Sequence, residues 1–138
     1  MHLARFLDAQ ASVYAEALAE LRAGKKQTHW MWFVLPQLRG LGHSAMATRY
    51  GIENAAEAAA YLAHPVLGAR LRECVAAVRT HKEKTAREIL GSPDDLKFRS
   101  CLTLFHAVSA ADDRLWQDAL DQFYAGQHDE ATLRLLKR

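Results

Sequence analysis

The chain carries three prolines and seven glycines in 138 residues, too few turn-forming positions for the closely spaced strands of a sandwich or barrel. Cysteine is scarcer still. Cys74 and Cys101 form no CxxC pair and fall within apolar helical patterns, so they read as reduced core thiols of a cytoplasmic protein. No apolar run approaches the length of a membrane span, and Arg5 and Asp8 interrupt the stretch that a signal peptide would keep apolar. No membrane partner is expected. The seven histidines never come closer than 14 positions, the gap between His29 and His43. No pair can share a helix face at i,i+4, and neither HExxH nor finger spacings occur. The expectation is no resident metal and no cofactor. One absence is local. No acidic residue stands between Glu20 and Glu53, where Arg22, Lys25, Lys26, Arg39 and Arg49 leave a stretch of +5 in a chain of net charge +2.

What is present is a helix-rich pattern able to fold. Hydrophobic residues make up 50% and charged ones 25%, a globular balance at a length that can bury a sizeable core. Leu3, Phe6, Leu7, Gln10, Tyr14, Leu18 and Leu21 recur at helical spacing up to a stop at Gly24, with Gln10 an amide on an otherwise apolar stripe. The run "HWMWFVL" is short, aromatic and β-branched, as a buried strand would be, yet no second strand exists to pair with it. A buried helix capped by Thr28 and ending before Pro36 is expected instead. Ser44, Asn54 and Thr85 are N-caps in front of further helical patterns, and His64-Pro65 opens the stripe Leu67, Leu71, Cys74, Val75 and Val78. Ser92-Pro93-Asp94-Asp95 combines a cap, an N1 proline and acids at the positive end of a helix dipole. Asp112 opens another helix, and "EATLRLLKR" forms the last. The expected fold is all-α, a single compact domain over 1–138 of about eight short-to-medium helices packed orthogonally.

Residues 27–42, "QTHWMWFVLPQLRGLG", concentrate two tryptophans, a histidine and a glycine turn inside the acid-free stretch. Two motif matches nearby fail on context. "GHSAM" lacks the closing glycine and the preceding strand of a nucleophile elbow. "GLGHSA" matches G-x-G-x-x-A without the parallel strand, long helix and later acid of a dinucleotide fold. What survives is general: a glycine turn feeding the helix start at Ser44 offers backbone N–H groups and a positive dipole end to an anion. Arg49 and Tyr50 end the same short helix. Trp30 and Trp32 can stack on a ring, although a large aromatic is more often core. His29 is the candidate acid–base group, weighed against simple packing. Gln10, Arg70 and Lys97 are polar groups on or beside core stripes and need partners if buried; Lys97 either snorkels to Asp94 at i−3 or aims into a cleft. The candidate ligand-binding residues are Gln10, Trp30, Trp32, Gln37, Ser44, Arg49, Tyr50, Arg70 and Lys97, with His29 the candidate catalytic residue.

Over "THWMWFVLPQLRGLGHSAMATRYGI", "AYLAHPVLGARLREC" and "GSPDDLKFRSCLTLF" the chain resembles a bacterial family catalogued as domain of unknown function 1810, and the likeness spans nearly the whole chain. The His-Trp-Met-Trp-Phe…Pro-Gln run with its Gly-Leu-Gly turn is the most specific mark. The family's motif positions correspond to Gln10, His29, Trp30, Trp32, Pro36, Gln37, Gly40, Gly42, Ser44, Tyr50, Pro65, Arg70, Asp95, Lys97, Ser100 and Phe105. Some members carry the label calpastatin, but nothing here resembles a protease-inhibitor repeat. The resemblance implies an all-helical fold and supplies no established activity. Three functions stay open. The preferred one is binding of a small anionic ligand, nucleotide-like or phosphorylated, with or without a reaction. The alternative is a non-catalytic helical module that docks a protein partner or a second copy. Nucleic acid is disfavoured as a partner, because five positive charges against a net of +2, with no unbroken basic face, make a weak footprint.

Overall fold

In the computed structural model, which describes residues 2–138, the stripe that begins at Leu3 folds as two helices, α1 (Ala4–Gln10) and α2 (Tyr14–Ala23). No glycine or proline marks the break. Its cause is tertiary: Gln10, fully buried at the end of α1, donates from Nε2 to Phe33 O at 2.6 Å and to Tyr61 Oη at 3.1 Å. Ser12 and Val13 are indifferent helix formers, so a continuous helix yields to that contact. Gly24, left-handed at φ 81°, closes α2. The "HWMWFVL" run is helical for one turn only, as α3 (Met31–Val34), and Thr28 does not cap it. Glu20 holds Thr28 instead, accepting from its backbone N–H at 3.0 Å and its hydroxyl at 2.6 Å.

The later helices obey their local signals more closely. They are α4 (Ala45–Tyr50), α5 (Ala55–Ala63), α6 (Leu67–Arg79), α7 (Ala86–Leu90), α8 (Asp94–Val108), α9 (Leu115–Tyr124) and α10 (Glu130–Leu136). Ser44 and Asn54 accept from the N–H three residues on, and Thr85 with Glu88 forms a complete capping box. His64 caps the entry to α6 through its ring, Nδ1 accepting from Val66 N and Leu67 N. At α8 the expected cap is absent: Pro93 stands at the N-cap position with no side-chain bond, and Asp94 and Asp95 fill the first turn. Asp112 does not open α9, which begins at Leu115 behind Arg114, and Pro65 precedes the first turn of α6, which begins at Leu67 behind Val66. The described residues thus hold ten helices rather than about eight, the split of the first stripe adding one.

α6 and α8 form the spine. Leu67, Leu71, Cys74, Val75 and Val78 of α6 are buried, as are Phe98, Cys101, Leu102, Leu104 and Phe105 of α8. α5 packs on both, α9 on α8 and α2 on α6. The α5–α6 turn requires Gly68, because a Cβ there would stand 2.0 Å from Leu62 O. The group α1, α3 and α4 is tied to α5 by a buried ion pair, Arg5 to Glu57 at 2.7 Å. The same guanidinium caps the end of α4, donating to Arg49 O at 3.0 Å and Gly51 O at 2.9 Å. A single parallel bridge, Leu38 with Ile52, locks the segment after α3 beside the segment after α4. No helix among the described residues is long and apolar enough to cross a membrane.

Candidate functional site

Glu20 organises the segment that leads into the site. Its carboxylate accepts from the N–H of Gln27 at 2.8 Å and of Thr28 at 3.0 Å, from the Thr28 hydroxyl, and from the indole N–H of Trp30 at 3.0 Å. Burial opposes its ionisation, but these hydrogen bonds, led by Thr28, outweigh it and hold the carboxyl at about 2. Trp30 is thereby fixed in the core. Two residues on, the single turn of α3 brings Trp32 to the surface, half-buried. Trp30 is core; Trp32 is wall.

Trp32 lies between an open cleft of about 370 Å³ and a narrow slot with room for about one water. Lys26, His29, Pro93 and Asp94 line the cleft, and Leu35, Gln37, Ala47 and Tyr50 line the slot; Met31, Trp32 and Lys97 line both. Lys97 Nζ sits 5.5 Å from the centroid of the Trp32 ring. Asp94 serves the two lysines unequally, with Lys26 Nζ at 3.0 Å and Lys97 Nζ at 3.8 Å. Lys26 also donates to Thr28 O at 2.6 Å and lies over the Trp30 ring, and its side chain is 8% exposed against 27% for Lys97. Lys26 is therefore a cation built into the scaffold, and Lys97 is a loosely held one facing the cleft.

Five of the sequence candidates meet here: His29, Trp32, Gln37, Tyr50 and Lys97. The others lie elsewhere. Gln10 and Arg70 do converge, Arg70 Nη1 donating to Gln10 Oε1 at 3.2 Å, but they do so away from the cleft, Arg70 half-buried and Gln10 fully buried where it braces α3 from behind through Phe33 O. Ser44 is committed to its cap, accepting from Ala47 N at 3.1 Å. Arg49, at the other end of α4, lines a separate cleft with Arg5 and Arg39 that shares only Tyr50 with the slot. The glycine turn works by close approach: a Cβ on Gly42 would stand 2.9 Å from Ala47 Cβ and 3.5 Å from Gln37 Nε2. The acid-free stretch forms no single basic face, since Arg22 pairs with Glu73, Lys26 with Asp94, and Arg39 and Arg49 face the second cleft.

Sequence reasoning left Lys26, Pro93 and Asp94 out of the site. The acid-free stretch pointed toward Lys26, and the i−3 spacing from Lys97 pointed toward Asp94. Among the described residues no three His, Cys, Asp or Glu side chains cluster as metal ligands. Burial pushes the Cys74 thiol up to about 12 and raises Cys101 as well, so neither is a thiolate at neutral pH.

Fold and site together define an all-helical domain with an aromatic, cationic cleft beside its one-turn helix. The chain belongs to the family described as Protein of unknown function (DUF1810), whose model matches residues 1–136. It is 48% identical to a conserved hypothetical protein, Rv1873, from Mycobacterium tuberculosis, whose crystal structure it matches with a TM-score of 0.96 over 99% of this chain and 97% of that one. Among proteins of curated function, none matches the chain.

Proposed function

We propose that the chain is a small-ligand protein whose Trp32 cleft binds an anionic, ring-bearing metabolite, nucleotide-like or otherwise phosphorylated. The observation that carries this is the half-buried Trp32 with the Lys97 ammonium 5.5 Å from its ring centroid, at the junction of cleft and slot. An aromatic face beside a cation suits a ligand that joins a flat ring to a negative group. Asp94 does not cancel that cation, because its short contact is to Lys26 and the pair with Lys97 is long and partly solvated. His29, which lines the cleft, stays the candidate acid–base group in this reading. Two free buried cysteines suit a reducing compartment, so a cytoplasmic location belongs to the proposal.

The docking-module alternative has less support. Val66 and Leu96 are the large hydrophobic side chains that exceed one-third exposure among the described residues, and they sit on different elements rather than in one patch. The test is calorimetric titration with AMP and with ribose 5-phosphate. Saturable binding is expected, weakened about tenfold or more in Lys97→Met, the loss of one charge-assisted contact, with the melting temperature of the free protein unchanged. Absence of binding by either compound at millimolar concentration would overturn the reading.

A further inference from the structure

Gln37 is held from behind and free in front. Its carbonyl accepts from Ile52 N at 2.9 Å, and Arg39 N donates to Ile52 O at 2.8 Å, so the backbone is pinned on both sides of the parallel bridge. The side-chain amide has no hydrogen-bond partner among the described residues and opens on the slot beside Trp32, Tyr50 and Lys97. Both ends of this half-buried amide are left to solvent, so a ligand that pairs with them replaces water rather than another side chain. Gly42 lies in van der Waals reach of the amide, a Cβ there standing 3.5 Å from Gln37 Nε2, while its own close approach is to Ala47. The contrast with Gln10 is direct: that amide, buried behind α3, has its oxygen and its nitrogen both committed.

The size of the slot limits what can satisfy Gln37. With space for about one water, it admits a pendant group of a ring but not the ring itself. A glutamine amide matches with both its ends an edge that sets an exocyclic amino donor beside a ring-nitrogen acceptor, as adenine does with its N6 and N7. An oxo-substituted purine offers two acceptors, O6 and N7, at the corresponding edge and leaves Gln37 Oε1 facing oxygen. Resting on the anionic, ring-bearing ligand proposed above, we infer that the ligand is a nucleotide of an amino-substituted base, and that Gln37 is the residue that reads it. The ring lies on the Trp32 face, the exocyclic amino group enters the slot and donates to Gln37 Oε1, and Gln37 Nε2 donates to the ring nitrogen. The phosphate stays in the open cleft by Lys97.

The experiment is calorimetric titration of the whole chain with AMP, IMP and ribose 5-phosphate, repeated on Gln37→Ala, Gln37→Met and Lys97→Met. AMP is expected to bind about tenfold or more tightly than IMP, the discrimination of one bidentate pair. Both Gln37 variants bring AMP and IMP to parity while leaving ribose 5-phosphate unaffected. Gln37→Met keeps the side chain's length without its acceptor or donors, so unchanged melting temperatures separate a lost contact from a lost fold. Lys97→Met weakens every phosphorylated ligand together. Equal affinity for AMP and IMP in the natural chain, or an AMP preference that survives both Gln37 variants, overturns the base-reading role while ribose 5-phosphate binding keeps the phosphate anchor standing. If none of the three binds, the inference and the reading beneath it fall together.

Discussion

Replacing Arg5 with methionine tests the joint that holds α4, and so Tyr50 and the slot, against the rest of the protein. Arg5 and Glu57 form a buried ion pair whose side chains are 7% and 1% exposed, closed by two contacts at 2.7 and 3.2 Å. Arg5→Met leaves the Glu57 carboxylate buried without its countercharge, a situation that typically costs about 3–5 kcal/mol. It also removes the donor from Arg49 O and Gly51 O. Against a total stability of roughly 5–15 kcal/mol, this is a large fraction, read by urea unfolding as a shifted midpoint and by heating as a fall of roughly 10–15 °C. The pH dependence has a definite sign. Burial raises the Glu57 carboxyl but Arg5 and the Glu53 N–H bring it below its ordinary 4.5. A depressed carboxyl contributes stability that is present above that value and lost as the pH falls below it. The gap between natural chain and variant should therefore be widest near pH 7 and narrow under acid. Adding Glu57→Gln to Arg5→Met removes the stranded charge and should recover about 1 kcal/mol or more. An Arg5→Met variant within about 1 kcal/mol of the natural chain, or a double variant no better than it, would show that the ion pair does not hold this joint.

Two further outcomes follow from the same geometry. Glu20→Gln keeps an acceptor for the 27–30 segment but removes its charge, so acid unfolding between about pH 4.5 and 2, where the natural carboxyl takes up its proton, should flatten in the variant; an identical pH profile would contradict it. Gly42→Ala should destabilise by roughly 1–3 kcal/mol through overpacking on Ala47, read by urea unfolding; a variant as stable as the natural chain would contradict it.

Helix starts were readable where they depend on residues three apart, as at Ser44, Asn54 and Thr85. They were misread where a distant group intervened. Thr28 has every property of a cap, yet Glu20, eight residues earlier, captures both its N–H and its hydroxyl. The first stripe is continuous in pattern and broken in fact, because Gln10 is drawn to a carbonyl 23 residues away. Gln10 and Arg70 were recognisable as polar groups needing partners, and they are partners of each other; spacing alone could not tell that from a site. The fates of Trp30 and Trp32 turn on which way one helical turn faces when α1 docks on α3, a tertiary fact. The same holds for Arg49 and Lys97, whose sequence contexts are equally suggestive but whose side chains line different clefts.

The proposed function stands on Trp32 as a ligand-contacting wall. Two of the three indole N–H groups donate inside the protein, Trp30 to Glu20 and Trp116 to Asp113, each near 3 Å, which leaves Trp32 as the indole free to report on the cleft. A nitrogen–proton correlation spectrum recorded during titration with AMP follows all three at once. A saturable shift of the Trp32 indole resonance, with those of Trp30 and Trp116 nearly still, is the predicted result. A Trp32 resonance that does not move at saturating AMP, or movement confined to the other two, contradicts the account.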